Sequence, residues 1–459
     1  MLSICDSSGR FNRRAFLHLG GLSALGAMVP GLMGMPHIDS SLYSGKSVIF
    51  LFMHGGPSQF ETFDPKMTAP SEVRSTTGEV KTTLPGITFG GTFPKLARQA
   101  HRCSIVRSFV TGDGNHDIKP IVSADSSGAN LGCILSQTIG ANHPVTGMPS
   151  NIALFPQTVA AASEPAQTSF GNFLSTGPFG FGMAPLVPGS NGPFQKNLKL
   201  AIPLDRMDDR RTLLNQFDKV RSWLDEPRQQ GLDSIRTNAY RVLLGSVADA
   251  FDLGKEDPRI VDKYDTQPLM RPDQIDKKWN NYKYYRDNAA TLGKLLLLAR
   301  RLCERGCGFV TVTTNFVWDM HADVNNAPLS EGMGYVGRPF DHAVSAFLED
   351  VALRGLSDRI LLVCCGEMGR TPRINKSGGR DHWGNLAPLL LAGGGLQMGQ
   401  VIGRSTANGG EPASDPITNR NLISTILNTL FDVGKLRITP GLPREISRML
   451  DWNPIAQLF

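Results

Sequence analysis

Nowhere in the chain do lysines and arginines gather into a dense patch interleaved with aromatic residues, so nothing marks a nucleic-acid surface and no nucleic acid is expected as a partner. Beyond the first thirty-odd residues there is no run of ~18 consecutive apolar residues, which leaves no candidate for a membrane-spanning helix there. The triple glycine Gly393-Gly394-Gly395 lacks the GxGxxG and GxxxxGK[ST] frames, which argues against a nucleotide site at that turn. Internal repeats are absent too. Cysteine is sparse, at seven in 459 residues. One of them, Cys5, lies in the leader, and Cys364 and Cys365 are neighbours inside a strand-like run. A chain this long needs no staples, so the thiols read as buried rather than as a disulfide framework.

What is present fits an ordinary globular protein. The hydrophobic fraction of 41% with 19% charged residues excludes a disordered chain. Forty-nine glycines and thirty prolines make it rich in turns. The net charge of +6 is modest, and part of it sits at Arg10, Arg13 and Arg14. Those arginines open a leader, residues 1–35, in which an arginine pair precedes a mildly apolar stretch from Leu19 to Met35. That pattern reads as a twin-arginine signal, with the twin-arginine export machinery as a partner and a periplasmic or cell-surface location. No Ala-x-Ala cleavage site is clear, which leaves an uncleaved membrane anchor open.

Short apolar runs of strand length recur at 47–53, 104–106, 308–314, 359–365 and 387–391. Between them Val344, Phe347, Leu348 and Val351 form a helical stripe, with Asp341 and His342 read as the start of that helix. Another stripe runs through Ile423, Ile426, Leu427 and Leu430, and 295–302 reads as a buried helix. Continuous apolar strands alternating with helices predict an α/β fold, a mostly parallel central sheet with helices on both faces. The stretch 120–190 reads as loop. Residues 205–300 turn charged and helical, which predicts a helical insertion into an α/β domain spanning 45–459.

Ligands of open α/β sheets bind beyond the carboxyl ends of the strands. The polar residues that follow the strands here are His54, Glu61 and Asp64; then Asp113, His116 and Asp117; then Asp319 and His321; then Glu367 and Arg370, with Arg380-Asp381-His382 before the last strand. Carboxylates and imidazoles in that mix suit a divalent metal ion such as zinc, manganese or calcium. Candidate ligands are Asp319, His321, Glu367, His382 and Glu61. Asp381, His116 and His54 are expected behind them as supporting residues, since Asp381 and His382 point apart if extended. Arg370 and Arg380 suit an anion, either a small molecule or a polysaccharide.

Five blocks carry a family resemblance: the leader, FMHGGPSQFETFDPK, LLLLARRLCERGCGFVTV, WDMH, and GEMGRTPRIN with GRDHWGN and LLLAGGGLQMGQVIG. Together they resemble the exported bacterial proteins catalogued as domain of unknown function 1501. That family is similar to the alkaline phosphatase superfamily of phosphatases, sulfatases and phosphoglycerate mutases. The resemblance implies an alkaline-phosphatase-like core with metal ligands at its carboxyl rim. It implies an exported metal-dependent hydrolase of phosphate or sulfate esters. The alternative is a non-catalytic ligand- or polysaccharide-associated binding protein on the same fold. Two departures stand out. Glu367-Met368-Gly369 occupies the place of the superfamily's Asp-His-Gly, and methionine cannot replace histidine for a hard metal. The sulfatase signature Cys-x-Pro-x-Arg is absent, and Ser108, Thr111 and Asn115 lie where a nucleophile is expected without one standing out.

Overall fold

The structure is a computed structural model that describes residues 42–188 and 247–459. The leader, residues 1–35, and the part of the expected insertion at 205–246 lie outside the described residues.

Seven strands build the main sheet: β1 (Ser47–Phe52), β2 (Ser104–Val106), β3 (Asn151–Leu154), β4 (Phe309–Val312), β5 (Ile360–Cys365), β8 (Leu389–Gly393) and β9 (Gln400–Ile402). Between β5 and β8 a two-strand ribbon, β6 (Gly369–Arg370) and β7 (His382–Trp383), stands apart from the sheet. The order across the main sheet is β9-β2-β8-β5-β1-β4-β3. β1 pairs in parallel with β4 and β5, β3 with β4, and β9 with β2. Only β8 runs against its neighbours β5 and β2. The reversal follows from the chain path: the connection from β5 passes through the ribbon at the strand ends and returns beside β5 without a crossover helix.

The central strands β1, β4 and β5 are buried along their whole length because both faces are covered. Alternation then divides their side chains between two cores. Ile49, Leu51, Val310, Val312, Leu362 and Leu390 face one core, packed under the helices α1 (Pro94–Arg98), α3 (Tyr282–Glu304) and α4 (Leu329–Leu353). Val48, Phe50, Phe309, Leu361, Val363 and Leu389 face the other, under α2 (Leu131–Ile139) and α5 (Asn419–Leu430). Cys364 and Cys365 fall on opposite faces for the same reason. All six described cysteines are free and buried, and burial pushes the Cys103 and Cys303 thiols up to about 12.

Two local readings change. The stretch 120–190 contains α2 and β3, short elements hidden among Ser, Gly and Pro. Asp341 is not at a helix start: α4 begins at Leu329 and runs through Pro339, so Asp341 lies inside it. Its carboxylate instead caps a different helix, accepting from the backbone N–H of Leu96 at 2.6 Å and of Lys95 at 3.1 Å in α1. From 247 to 300 the described chain is largely helical, and the second half of α3 packs in the core over the sheet. No helix of the described residues is long and apolar enough to cross a membrane.

Candidate metal centre

The loops after β1, β2, β4 and β5 meet at one end of the sheet, and glycines let them approach. Gly55 has φ +113°, and a Cβ there would lie 2.6 Å from the backbone nitrogen of Asp319. The backbone oxygen of His54 accepts from Val317 N at 3.1 Å and Trp318 N at 3.0 Å, which locks the β1 turn to the β4 loop. A Cβ on Gly114 would touch that of His382 at 3.0 Å, and one on Gly379 would run into the backbone of His321 at 2.1 Å. The ribbon sets Arg370 directly opposite His382, so both reach Asp319 from the same side.

At the meeting point lie His116, Asp319, His321 and His382, one donor atom from each within 4.8 Å of all the others. The shared atom is Asp319 Oδ1. It lies 2.7 Å from His321 Nε2, 3.3 Å from His382 Nε2 and 3.5 Å from His116 Nε2. His321 Nε2 and His382 Nε2 are 2.8 Å apart. Two imidazole nitrogens that close need a shared proton or cation between their lone pairs. His116 Nε2 is buried and makes no hydrogen bond. Three Nε2 atoms and one carboxylate oxygen form a four-donor set that a divalent ion such as zinc or manganese fits.

The outward nitrogens support that fit. His116 Nδ1 is 2.9 Å from Glu367 Oε1, and His321 Nδ1 is 3.6 Å from Asp381 Oδ1. A carboxylate on Nδ1 keeps the proton there and leaves Nε2 free to donate its lone pair. Glu367 is itself fixed, accepting the Gly55 N–H at 3.0 and 3.1 Å. Burial raises the cost of charge on Asp319, yet the Arg370 guanidinium and the three imidazoles hold its carboxyl well below the usual carboxylate range. Burial lowers the His382 pKa, whereas at His116 the two carboxylates outweigh burial and raise it.

The other expected residues sit as follows. Glu367 stands behind His116, which itself supplies a donor. Asp381 stands behind His321, with its side chain largely exposed. Glu61 is apart from the four, fully buried on Arg380 at 3.1 and 3.2 Å. Arg380 also donates to the backbone oxygens of Val73 and Arg74, at 2.8 and 3.2 Å. Arg370, 1% exposed, donates to Asp319 Oδ1 at 2.6 Å and to the backbone oxygens of Gly56 and Arg380. His54 is buried among Phe52, Phe170, Phe173 and Phe316 with neither ring nitrogen bonded, and burial lowers its pKa to about 4. Ser108 is likewise buried with its hydroxyl unbonded. Sequence reading passed over Asn326, whose side-chain amide holds Asp319 Oδ2 at 3.2 Å. Its only signal was an asparagine seven residues beyond the acid.

The chain belongs to the family described as protein of unknown function, DUF1501, which matches residues 45–446. No curated protein matches it. Among solved structures, that of Ps i-CgsB shares 10% identity over 89% of this chain and 75% of that one, with a TM-score of 0.37. The same protein in complex with k-i-k-neocarrahexaose gives 9% identity over 84% and 71%, at 0.34. The lipoteichoic acid synthase LtaP from Listeria monocytogenes gives 9% identity over 96% and 82%, at 0.33. Overlaps this loose carry no argument about activity, which rests on the site itself.

Proposed function

We propose that the protein is an exported, metal-dependent hydrolase of phosphate or sulfate esters. The observation that carries this is the convergence of three Nε2 atoms on Asp319 Oδ1, with carboxylates behind two of the rings. A divalent ion held by His116, Asp319, His321 and His382 would supply Lewis-acid polarisation of an ester oxygen and water activation. The chain's own groups do the rest. Glu367 keeps the His116 Nδ1 proton in place and fixes that ring's direction, and Asp381 lies 3.6 Å from His321 Nδ1 as a charge behind the second ring. Arg370 offsets the charge of Asp319, so that two buried carboxylates, one guanidinium and one divalent ion leave a single positive charge, which favours an anionic group. On this reading Arg370 serves the anion through its charge and Arg380 through the Glu61 pairing that holds the ribbon. The partly exposed rings of His321 and His382 give the substrate its approach. The leader supports export, and the substrate on this reading is an anionic polysaccharide or a small anionic ester.

The test is elemental analysis of the purified protein beside Asp319→Ala and His382→Ala, followed by assays on aryl phosphate and aryl sulfate. About one metal per chain, lost in both variants together with ester cleavage, is expected. Bound metal without cleavage of either ester class would favour the binding-protein alternative. Wild-type protein that takes up no metal would overturn the reading.

A further inference from the structure

The loop that delivers His116 has an alternating composition: Asp113, Asn115, Asp117 and Lys119, with His116 among them. In the structure the alternate residues fold around the lysine. Lys119 Nζ lies 2.8 Å from Asp113 Oδ1, 3.1 Å from both carboxylate oxygens of Asp117 and 3.4 Å from the Asn115 backbone oxygen. The ammonium is therefore enclosed by oxygens, as a bound cation would be. The lysine side chain is only 6% exposed, while those of Asp113 and Asp117 are 55% and 46% exposed. An ordinary surface ion pair buries neither partner and contributes little. Here the lysine is inside and the acids wrap it. His116 reaches out of the loop to Glu367 and Asp319. The loop's start is tied down as well, since Thr111 N and Gly112 N both donate to the Gly384 backbone oxygen at 3.1 Å, two residues from His382.

We propose that Lys119 is a positioning residue for His116, its ammonium closing the 113–119 loop so that His116 Nε2 is delivered to the other three donors. The proposal rests on the metal-centre reading above. It makes a prediction opposite in sign to simple electrostatics. Removing a positive charge and leaving two carboxylates unpaired should strengthen a nearby cation site. If the lysine instead holds the loop, its removal weakens that site.

The experiment is a double-variant cycle on the full chain, with zinc affinity measured by competition against a chromophoric chelator and the fold of each variant followed by circular dichroism. Lys119→Met is expected to lower zinc affinity about tenfold or more, in line with the loss of a residue that orients a ligand. In the His116→Ala background the same change is expected to cost nothing further. Should Lys119→Met fail to fold, Lys119→Arg keeps the cation and is expected to give a smaller fall that also vanishes without His116. Unchanged or increased affinity in Lys119→Met, or an equal fall in both backgrounds, overturns the proposal. Wild-type protein that binds no zinc and no manganese overturns both this proposal and the reading beneath it.

Discussion

Asp319 carries more of the site than any other residue. One oxygen faces three imidazoles and a guanidinium, while the other is held by Asn326. A carboxylate so placed cannot rotate without breaking contacts on both sides. Glu367 is the second fixed point, and its role lends itself to a narrow test. In Glu367→Gln the side chain keeps an oxygen but loses the charge that holds the His116 Nδ1 proton. Zinc affinity by chelator competition is expected to fall by roughly tenfold, with little change in the far-ultraviolet spectrum. Unaltered affinity would show that the Glu367 contact does not set the ring. The residue types at this site were legible in the sequence, since acids and histidines following strands are what metals use. Their places were not. Whether Glu367 or His116 stands inside depends on how a β2 loop and a β5 loop cross in space, and no spacing along the chain records that.

At the scale of elements, the sheet was the most legible part. Runs such as Ser47–Phe52 and Ile360–Cys365 are apolar at every position, and only a strand covered on both faces needs that. α4 was the least legible. Three glycines and Pro339 in its first half read as breakers, yet tertiary packing over the sheet carries the helix through them. This changes what Asp341 does. Burial raises its pKa to about 6, although the α1 backbone amides it accepts from pull the other way. Because folding raises this pKa, the folded chain holds the proton more tightly than the unfolded chain does. The contribution to stability is complete below about pH 4 and is lost as pH rises through 6. Denaturant unfolding of wild type and Asp341→Asn is expected to show a difference that shifts by up to about 3 kcal/mol between pH 4 and pH 7. A difference independent of pH would mean that Asp341 is not titrating there.

For the whole molecule, the donor set ties together segments that are distant in sequence. A ligand bound only by the folded chain stabilises it by mass action, by about 4 kcal/mol at a thousandfold excess over the dissociation constant. Thermal unfolding with a chelator present is therefore expected to start on the order of 5 °C lower than with zinc. The Asp319→Ala variant is expected to melt at one temperature in either condition. A wild-type melting curve indifferent to chelator would show that the four residues hold no ion tightly.

The wide separation of His116 and His382 along the chain also has a consequence in time. At ordinary rates of synthesis the ribosome needs on the order of tens of seconds to pass from one to the other. During that interval the early histidine has been made and the donor set is still incomplete. No fragment that ends before His382 contains the site, so the choice of ion belongs to the nearly finished chain and to the compartment in which folding is completed. Passage through an exporter that carries folded cargo would set that choice by the metals of the cytoplasm; threading as an open chain would hand it to the metals outside.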